Sequence, residues 1–161
     1  MDTFPRTLQE AISLTRDLDL RYIWIDGLCI DQAHSAMKAT IITYMGEIYA
    51  AADIVIVAAT GVDASYGLPG TKNHPRQRKE PLARALSAKG HCIEFIEPQD
   101  SFDVQLMASV WSTRGWTYQE IALARRCIVV FPGETFCVCN GHLQREAYST
   151  PEKAQSDIKE F

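Results

Sequence analysis

The stretch Trp111-Ser-Thr-Arg-Gly-Trp-Thr-Tyr-Gln-Glu120, continued by Ile121-Ala-Leu-Ala-Arg-Arg126 and Cys127-Ile-Val-Val-Phe131, decides how this chain folds. A run with helical character passes directly into five apolar residues that read as a buried strand. Trp116 and Glu120 stand four apart, so a helix stacks them on one face, an aromatic wall beside an acid. The plain alternative is a core tryptophan and a solvated glutamate, since perturbed acids are the minority of acids. A second segment, Tyr22-Ile-Trp-Ile-Asp-Gly-Leu-Cys-Ile-Asp-Gln32, argues against that alternative. Its first four residues are apolar on both faces, as in a covered parallel strand, and Asp26-Gly27 ends them.

Working outward, Thr7-Leu-Gln-Glu10 has the pattern of a capping box. It opens a helix with Leu8, Ala11, Ile12, Thr15 and Leu18 at helical spacing. A second helix is predicted from about Ser35 to Ala52, with Met37, Ile41, Tyr44, Met45, Ile48 and Ala52 as its apolar stripe. It feeds Ile54-Val-Ile-Val57, another short apolar strand. Helix and strand alternating in short order predict an α/β domain with a mainly parallel central sheet covered by helices. Tyr22–Ile25, Ile54–Val57 and Ile128–Phe131 are the expected neighbours in that sheet.

From Thr60 to Pro81, glycines and prolines interrupt any periodic pattern, and Lys72, Arg76, Arg78 and Lys79 crowd one stretch. This reads as a long loop insertion, either a solvated surface loop or a basic grip for phosphate or nucleic acid. Leu82 to Lys89 reads as a short helix stopped by Gly90, and Cys92–Ile96 as a strand. Cys127–Phe131, the Pro132-Gly133 turn and Thr135–Cys139 form a hairpin near the C-terminus. Residues 1–145 make one domain, and 146–161 a polar tail or short helix.

The composition fits a single packed domain. The 161 residues are 47% hydrophobic and 22% charged, enough for a sizeable core. A net charge of −4 gives no overall pull toward nucleic acid or anionic membrane. No apolar run approaches the roughly 20 residues that span a bilayer. The N-terminus has no signal-peptide pattern, and five scattered cysteines favour reduced thiols. A cytoplasmic location is expected.

Among the chemistry-bearing residues, Asp26 closes a predicted strand, where open α/β sheets bind ligands. A turn aspartate that caps local backbone accounts for it equally well. Asp26 and Asp31 lie either side of Gly27-Leu-Cys-Ile30. Cys29, flanked by Leu28 and Ile30, reads as a small buried hydrophobe rather than a nucleophile. Cys137, Cys139 and His142 fall short of the four ligands of a structural zinc site, and no metal or cofactor is expected. No phosphate-cradling glycine motif is present.

Three segments together resemble the fungal heterokaryon-incompatibility (HET) domain. They are Thr7-Leu-Gln-Glu-Ala-Ile12, then Tyr22–Gln32 with Met45-Gly-Glu-Ile-Tyr49, and Arg114-Gly-Trp-Thr-Tyr-Gln-Glu120. The resemblance implies a cytoplasmic cell-death protein of fungal non-self recognition, paired with a sensor protein or domain or working by self-association. It departs from the family at Ala33-His-Ser-Ala-Met37, and the family's first strand, with its aromatic-Ser-Tyr-x-Trp-Gly motif, is absent. HET domains in turn look like distant relatives of TIR domains, flavodoxin-like in fold. The enzymatic TIR members cleave NAD⁺ with one glutamate that follows a tryptophan by four. Trp116 and Glu120 repeat that spacing. The resemblance thus implies Glu120 as the catalytic carboxylate with NAD⁺ as substrate, Trp116 as pocket wall, and Asp26, Asp31 and Arg114 around a nucleotide ligand. It leaves open whether the domain is an enzyme or a signalling module. Arg114 has two candidate jobs, pairing with Asp26 or Glu120 beside an indole, or binding a ligand phosphate.

Overall fold

The computed structural model of the chain describes residues 4–76, 82–88, 90–95, 99–115, 117–139 and 141–146, and only the backbone of Glu94 and Tyr118. Its helices are α1 (Arg6–Asp17), α2 (Asp26–Cys29), α3 (Ser35–Thr43), α4 (Met45–Ala51), α5 (Phe102–Ala108) and α6 (Thr117–Ala122). Its strands are β1 (Val55–Ala58), β2 (Ala83–Leu86), β3 (Cys92–Phe95), β4 (Arg126–Val130), β5 (Thr135–Cys139) and β6 (His142–Arg145). A 3-10 turn, Val110–Thr113, lies between α5 and α6.

The architecture is mixed α/β. Four strands form one sheet in the order β1-β4-β5-β6. The two apolar strands read from sequence do pair in parallel, Val55 opposite Cys127 and Ala58 opposite Val130. The hairpin across Pro132-Gly133 also forms, with Val130 opposite Thr135 and Arg126 opposite Cys139. Because β4, β5 and β6 run antiparallel, the sheet is mostly antiparallel rather than mainly parallel. Val57 and Val129, opposite each other on β1 and β4, are wholly buried. Phe131 and Phe136 meet edge to face, and Phe102 of α5 closes on both with ring centres 6.1 and 5.2 Å away. Edge-to-face packing suits the ring quadrupoles and fixes α5 on the sheet.

Four local expectations are corrected. Tyr22–Ile25 forms no strand, and Tyr22 is 83% exposed. Its neighbour Trp24 obtains its burial from α4, meeting the Tyr49 ring at 6.1 Å. Ile23, Trp24 and Ile25 are thus half-buried without a hydrogen-bonded ladder, while Tyr22 stays in solvent.

The single helix expected over Ser35–Ala52 is two, broken at Tyr44. Thr40-Ile-Ile-Thr43 is a β-branched run of low helix propensity. Thr40 and Thr43 donate their hydroxyls back to the Ala36 and Thr40 carbonyls, a competition that weakens the helical ladder. With the break, Tyr44 and Met37 of the expected stripe are exposed, Met45 is buried as expected, and Tyr49 is buried in addition.

Ala83–Leu86, within the expected helix, is a strand. β2 pairs with β3 through a Ser87–His91 turn, in which Gly90 adopts φ +77°. The β-prone Cys92-Ile-Glu-Phe95 overrides the helical preference of Ala83-Arg-Ala-Leu86. Leu82, Leu86 and Phe95 of this hairpin are exposed.

The capping box does not form either. Thr7 Oγ1 accepts from Gly67 N–H, and the Glu10 carboxylate accepts from Leu68 N–H and contacts His74 Nδ1 at 3.2 Å. Both box residues are spent on the loop. The stretch Thr60–Arg76 is thereby folded down, with Leu68 wholly buried and Thr60 donating to the Gly67 carbonyl.

Candidate functional site

The site is built where α4, the 3-10 turn and α6 meet. The Trp111 indole Nε1 donates to Glu120 Oε2 at 2.7 Å. The Tyr49 hydroxyl donates to the other oxygen, Oε1, at 3.4 Å. Trp111 and Tyr49 are buried, at 6% and 8% exposure, and Glu120 is half-buried between them. Trp24 lies against the outer side of Tyr49. Cys127, the second residue of β4, sits with its thiol 4.0 Å from the Glu120 carbonyl. The cluster thus lies near the start of β4 and not beyond the strand's carboxyl end.

The electrostatics follow from that placement. Burial pushes the Glu120 carboxyl above its ordinary range, and the negative charge of Asp26 adds to the rise. The hydrogen bonds from Trp111 and Tyr49 and the charge of Arg114 pull the other way without cancelling it. Burial first, then the charges of Glu120 and Asp26, hold the Tyr49 phenol far above its ordinary value. It is therefore an obligate donor at physiological pH. Burial also pushes the Cys127 thiol up to about 11, with Glu120 contributing.

Two other buried glutamates show what is particular about Glu120. Glu10 and Glu134 are each 4% exposed. Glu10 pairs with Arg6 at 2.7 Å, and Glu134 with Arg145 and with Gln105 Nε2 at 2.7 Å. For Glu134, burial works to raise the carboxyl, but Arg145, Gln105 and the charge of Arg76 outweigh it and hold it below the usual range. Glu120, among the described residues, is held by neutral donors and by no arginine.

The expected site residues are only partly brought together. Asp26 acts on both Glu120 and Tyr49 through its charge. It opens α2 rather than ending a strand, and its Oδ1 accepts from Gly27 N–H at 2.6 Å. Arg114 is exposed and, among the described residues, reaches no carboxylate at ion-pair distance, so the expected pair with Asp26 or Glu120 is not made. Asp31 is exposed and accepts from Ala33 N–H in a local turn. Trp116 lies outside the described residues. Tyr49 was missed as a site residue because one unbroken helix would have put Tyr44 on the buried stripe instead.

A cavity of about 440 Å³ lies along α1, between Arg6, Gln9, Ser13, Arg16 and Asn73. Another of about 310 Å³ is lined by residues such as Ala59, Ser109 and Phe131. Neither is lined by Glu120 or Asp26. In the basic loop, Lys72 pairs with Asp17, and Arg76 with Glu146 and Thr135. Arg78 and Lys79 lie outside the described residues. Among the described residues no three His, Cys, Asp or Glu side chains stand where they could share a metal ion, and no helix is long and apolar enough to cross a membrane.

A mixed α/β domain with a glutamate held between Trp111 and Tyr49 is the class that the fold and site define. The chain matches the sequence profile of the heterokaryon incompatibility protein (HET) family over residues 1–120, and it belongs to that family. No curated protein and no solved structure matches it.

Proposed function

We propose that this chain is a cell-death effector of heterokaryon incompatibility, and that it acts by cleaving the glycosidic bond between nicotinamide and ribose in NAD⁺. One observation supports the chemistry above the others. Among the buried or half-buried glutamates Glu10, Glu120 and Glu134, Glu120 is the one without an arginine at contact, held by neutral donors. Carboxylates left so poised cluster at functional sites. As nicotinamide leaves with the bonding electrons, positive charge develops on the ribose carbon, a fixed, poorly solvated carboxylate stabilises it, and water adds to that carbon with loss of a proton, as in glycoside hydrolysis. Trp116 would wall that pocket and Asp26 and Arg114 would orient the nucleotide, in the manner of a TIR-like domain. The test is nicotinamide release from NAD⁺ by the purified chain, followed by chromatography. Release by the wild type and its loss in Glu120→Gln support the reading, and no release by the wild type overturns it.

A second reading, a signalling module that works by self-association, draws on the β2–β3 hairpin. A lone two-stranded hairpin is only marginally stable in water, yet this one exposes Leu82, Leu86 and Phe95. Full killing by a soluble Glu120→Ala variant would favour that reading. Nucleic-acid binding through Lys72–Lys79 is weaker, because Lys72 and Arg76 are already paired.

A further inference from the structure

We propose that Trp111 and Tyr49 are a two-sided clamp that positions the Glu120 carboxylate, each fixing one of its oxygens with a neutral donor. The geometry carries this. The indole N–H reaches Oε2 at 2.7 Å from the 3-10 turn, and the phenol reaches Oε1 at 3.4 Å from α4. The two donors come from elements 71 and nine residues away in sequence, and both are buried. A glutamate has three side-chain torsions. Bonding both oxygens to immobile aromatic rings removes that freedom before any ligand arrives, which is the preorganisation that positioning requires.

The choice of donors matters as much as their place. Neither an indole N–H nor this phenol carries charge, so the clamp orients the carboxylate without neutralising it. An arginine in the same place, as at Glu134, would orient it equally well and take away its charge. Each carboxylate oxygen has a second lone pair, and these remain for a ligand or a developing positive centre. Trp24 packed edge-on against Tyr49 holds the phenol in turn. Trp111 and Tyr49 are thus positioning residues that act through Glu120.

The clamp's use in catalysis rests on the reading of Glu120 as a catalytic carboxylate, but the clamp itself is tested without it. The experiment follows the Glu120 side-chain carboxyl by ¹³C NMR through a pH titration, in the whole chain and in Trp111→Phe and Tyr49→Phe. Each variant keeps a ring and removes one donor. Because the donors favour the charged form, losing either should move the Glu120 midpoint upward. Nicotinamide release should fall about a hundredfold on loss of positioning, with KM for NAD⁺ little changed. An upward midpoint in either folded variant supports the clamp. Unchanged midpoints, accompanied only by a lower Tm, would show that the rings merely pack, and overturn it. Tyr49→Phe, nearly isosteric, decides alone if Trp111→Phe does not fold. A wild type that releases no nicotinamide, with midpoints that still move, would refute the NAD⁺ reading and keep the clamp.

Discussion

Trp111 and Glu120 are joined by a 2.7 Å hydrogen bond that spans the 3-10 turn and the first residues of α6. The bond ties the ends of the Trp111–Glu120 stretch to each other, and Thr117 Oγ1 donating to the Arg114 carbonyl closes its middle. The two ends of a ten-residue stretch thereby meet at one acid. The energetic consequence is that Glu120 cannot be removed silently. Glu120→Ala, which a solvated glutamate would tolerate, leaves a buried indole N–H and a phenol without acceptors, at a cost of about 1–3 kcal/mol.

Glu120→Gln separates charge from shape. The folded-state carboxyl is raised above its ordinary 4.5, so the fold favours the protonated form. That contribution is fully present below the unfolded value and is lost as pH rises through the folded one. The stability of the variant relative to the wild type should therefore rise as pH climbs from acid to 7. Thermal melts at a series of pH values check this.

Glu134→Gln should behave in the opposite way. The Glu134 carboxyl is held below its ordinary range, so its contribution is present above the unfolded value and lost as pH falls through the folded one. Removing the charge of Glu134 from this pair should destabilise the fold at pH 7, the loss fading toward acid pH. Urea unfolding at pH 7 and at pH 3 measures both.

Gly67→Ala should loosen the clasp between α1 and the loop. Gly67 sits at φ +94°, and a Cβ there would come within 2.5 Å of Glu10 Oε2 and 2.9 Å of His74 Nδ1. Strain and collision together should cost about 2–3 kcal/mol. Gly27→Ala in α2 meets nothing within 4 Å and should be neutral or stabilising by up to about 1 kcal/mol. A lower Tm for Gly67→Ala alone is the expected outcome.

Native thiol labelling should distinguish the cysteines. Cys29, Cys92, Cys137 and Cys139 are exposed, whereas Cys127 is buried with its thiol pushed up to about 11. A mild thiol reagent at pH 7.5 should modify Cys29, Cys92 and Cys139 readily, Cys137 more slowly because burial pushes its thiol up, and Cys127 only on unfolding, because the thiolate is the reacting species. Mass spectrometry of peptides reads the outcome.

What the residues announced in advance, and what they hid, divides along physical lines. Val55–Ala58 and Arg126–Val130 were legible because short apolar runs flanked by helix and turn signals have few other solutions. Tyr22–Ile25 carries the same local signal, but whether it pairs depends on a neighbour far away in sequence. Thr7 and Glu10 match a cap pattern that tertiary contacts with Gly67 and Leu68 took over. β6 was hidden by its polarity, yet the Asn140-Gly141 pair before it is a strong hairpin signal that was available. The Trp116–Glu120 spacing pointed to Glu120, whereas Tyr49 depended on the helix break at Tyr44. Arg114 looked like an ion-pair residue from its indole neighbours, but its reach to a carboxylate is set by three-dimensional distance alone.

The central claim is that the uncompensated carboxylate of Glu120 consumes NAD⁺ to kill. The most direct measurement is the NAD⁺ content of fungal cells after induced expression of the wild type or Glu120→Gln at equal protein levels. NAD⁺ should fall several-fold before viability is lost with the wild type, and neither should change with the variant. Cell death at undiminished NAD⁺, or equal NAD⁺ loss with Glu120→Gln, would contradict the account.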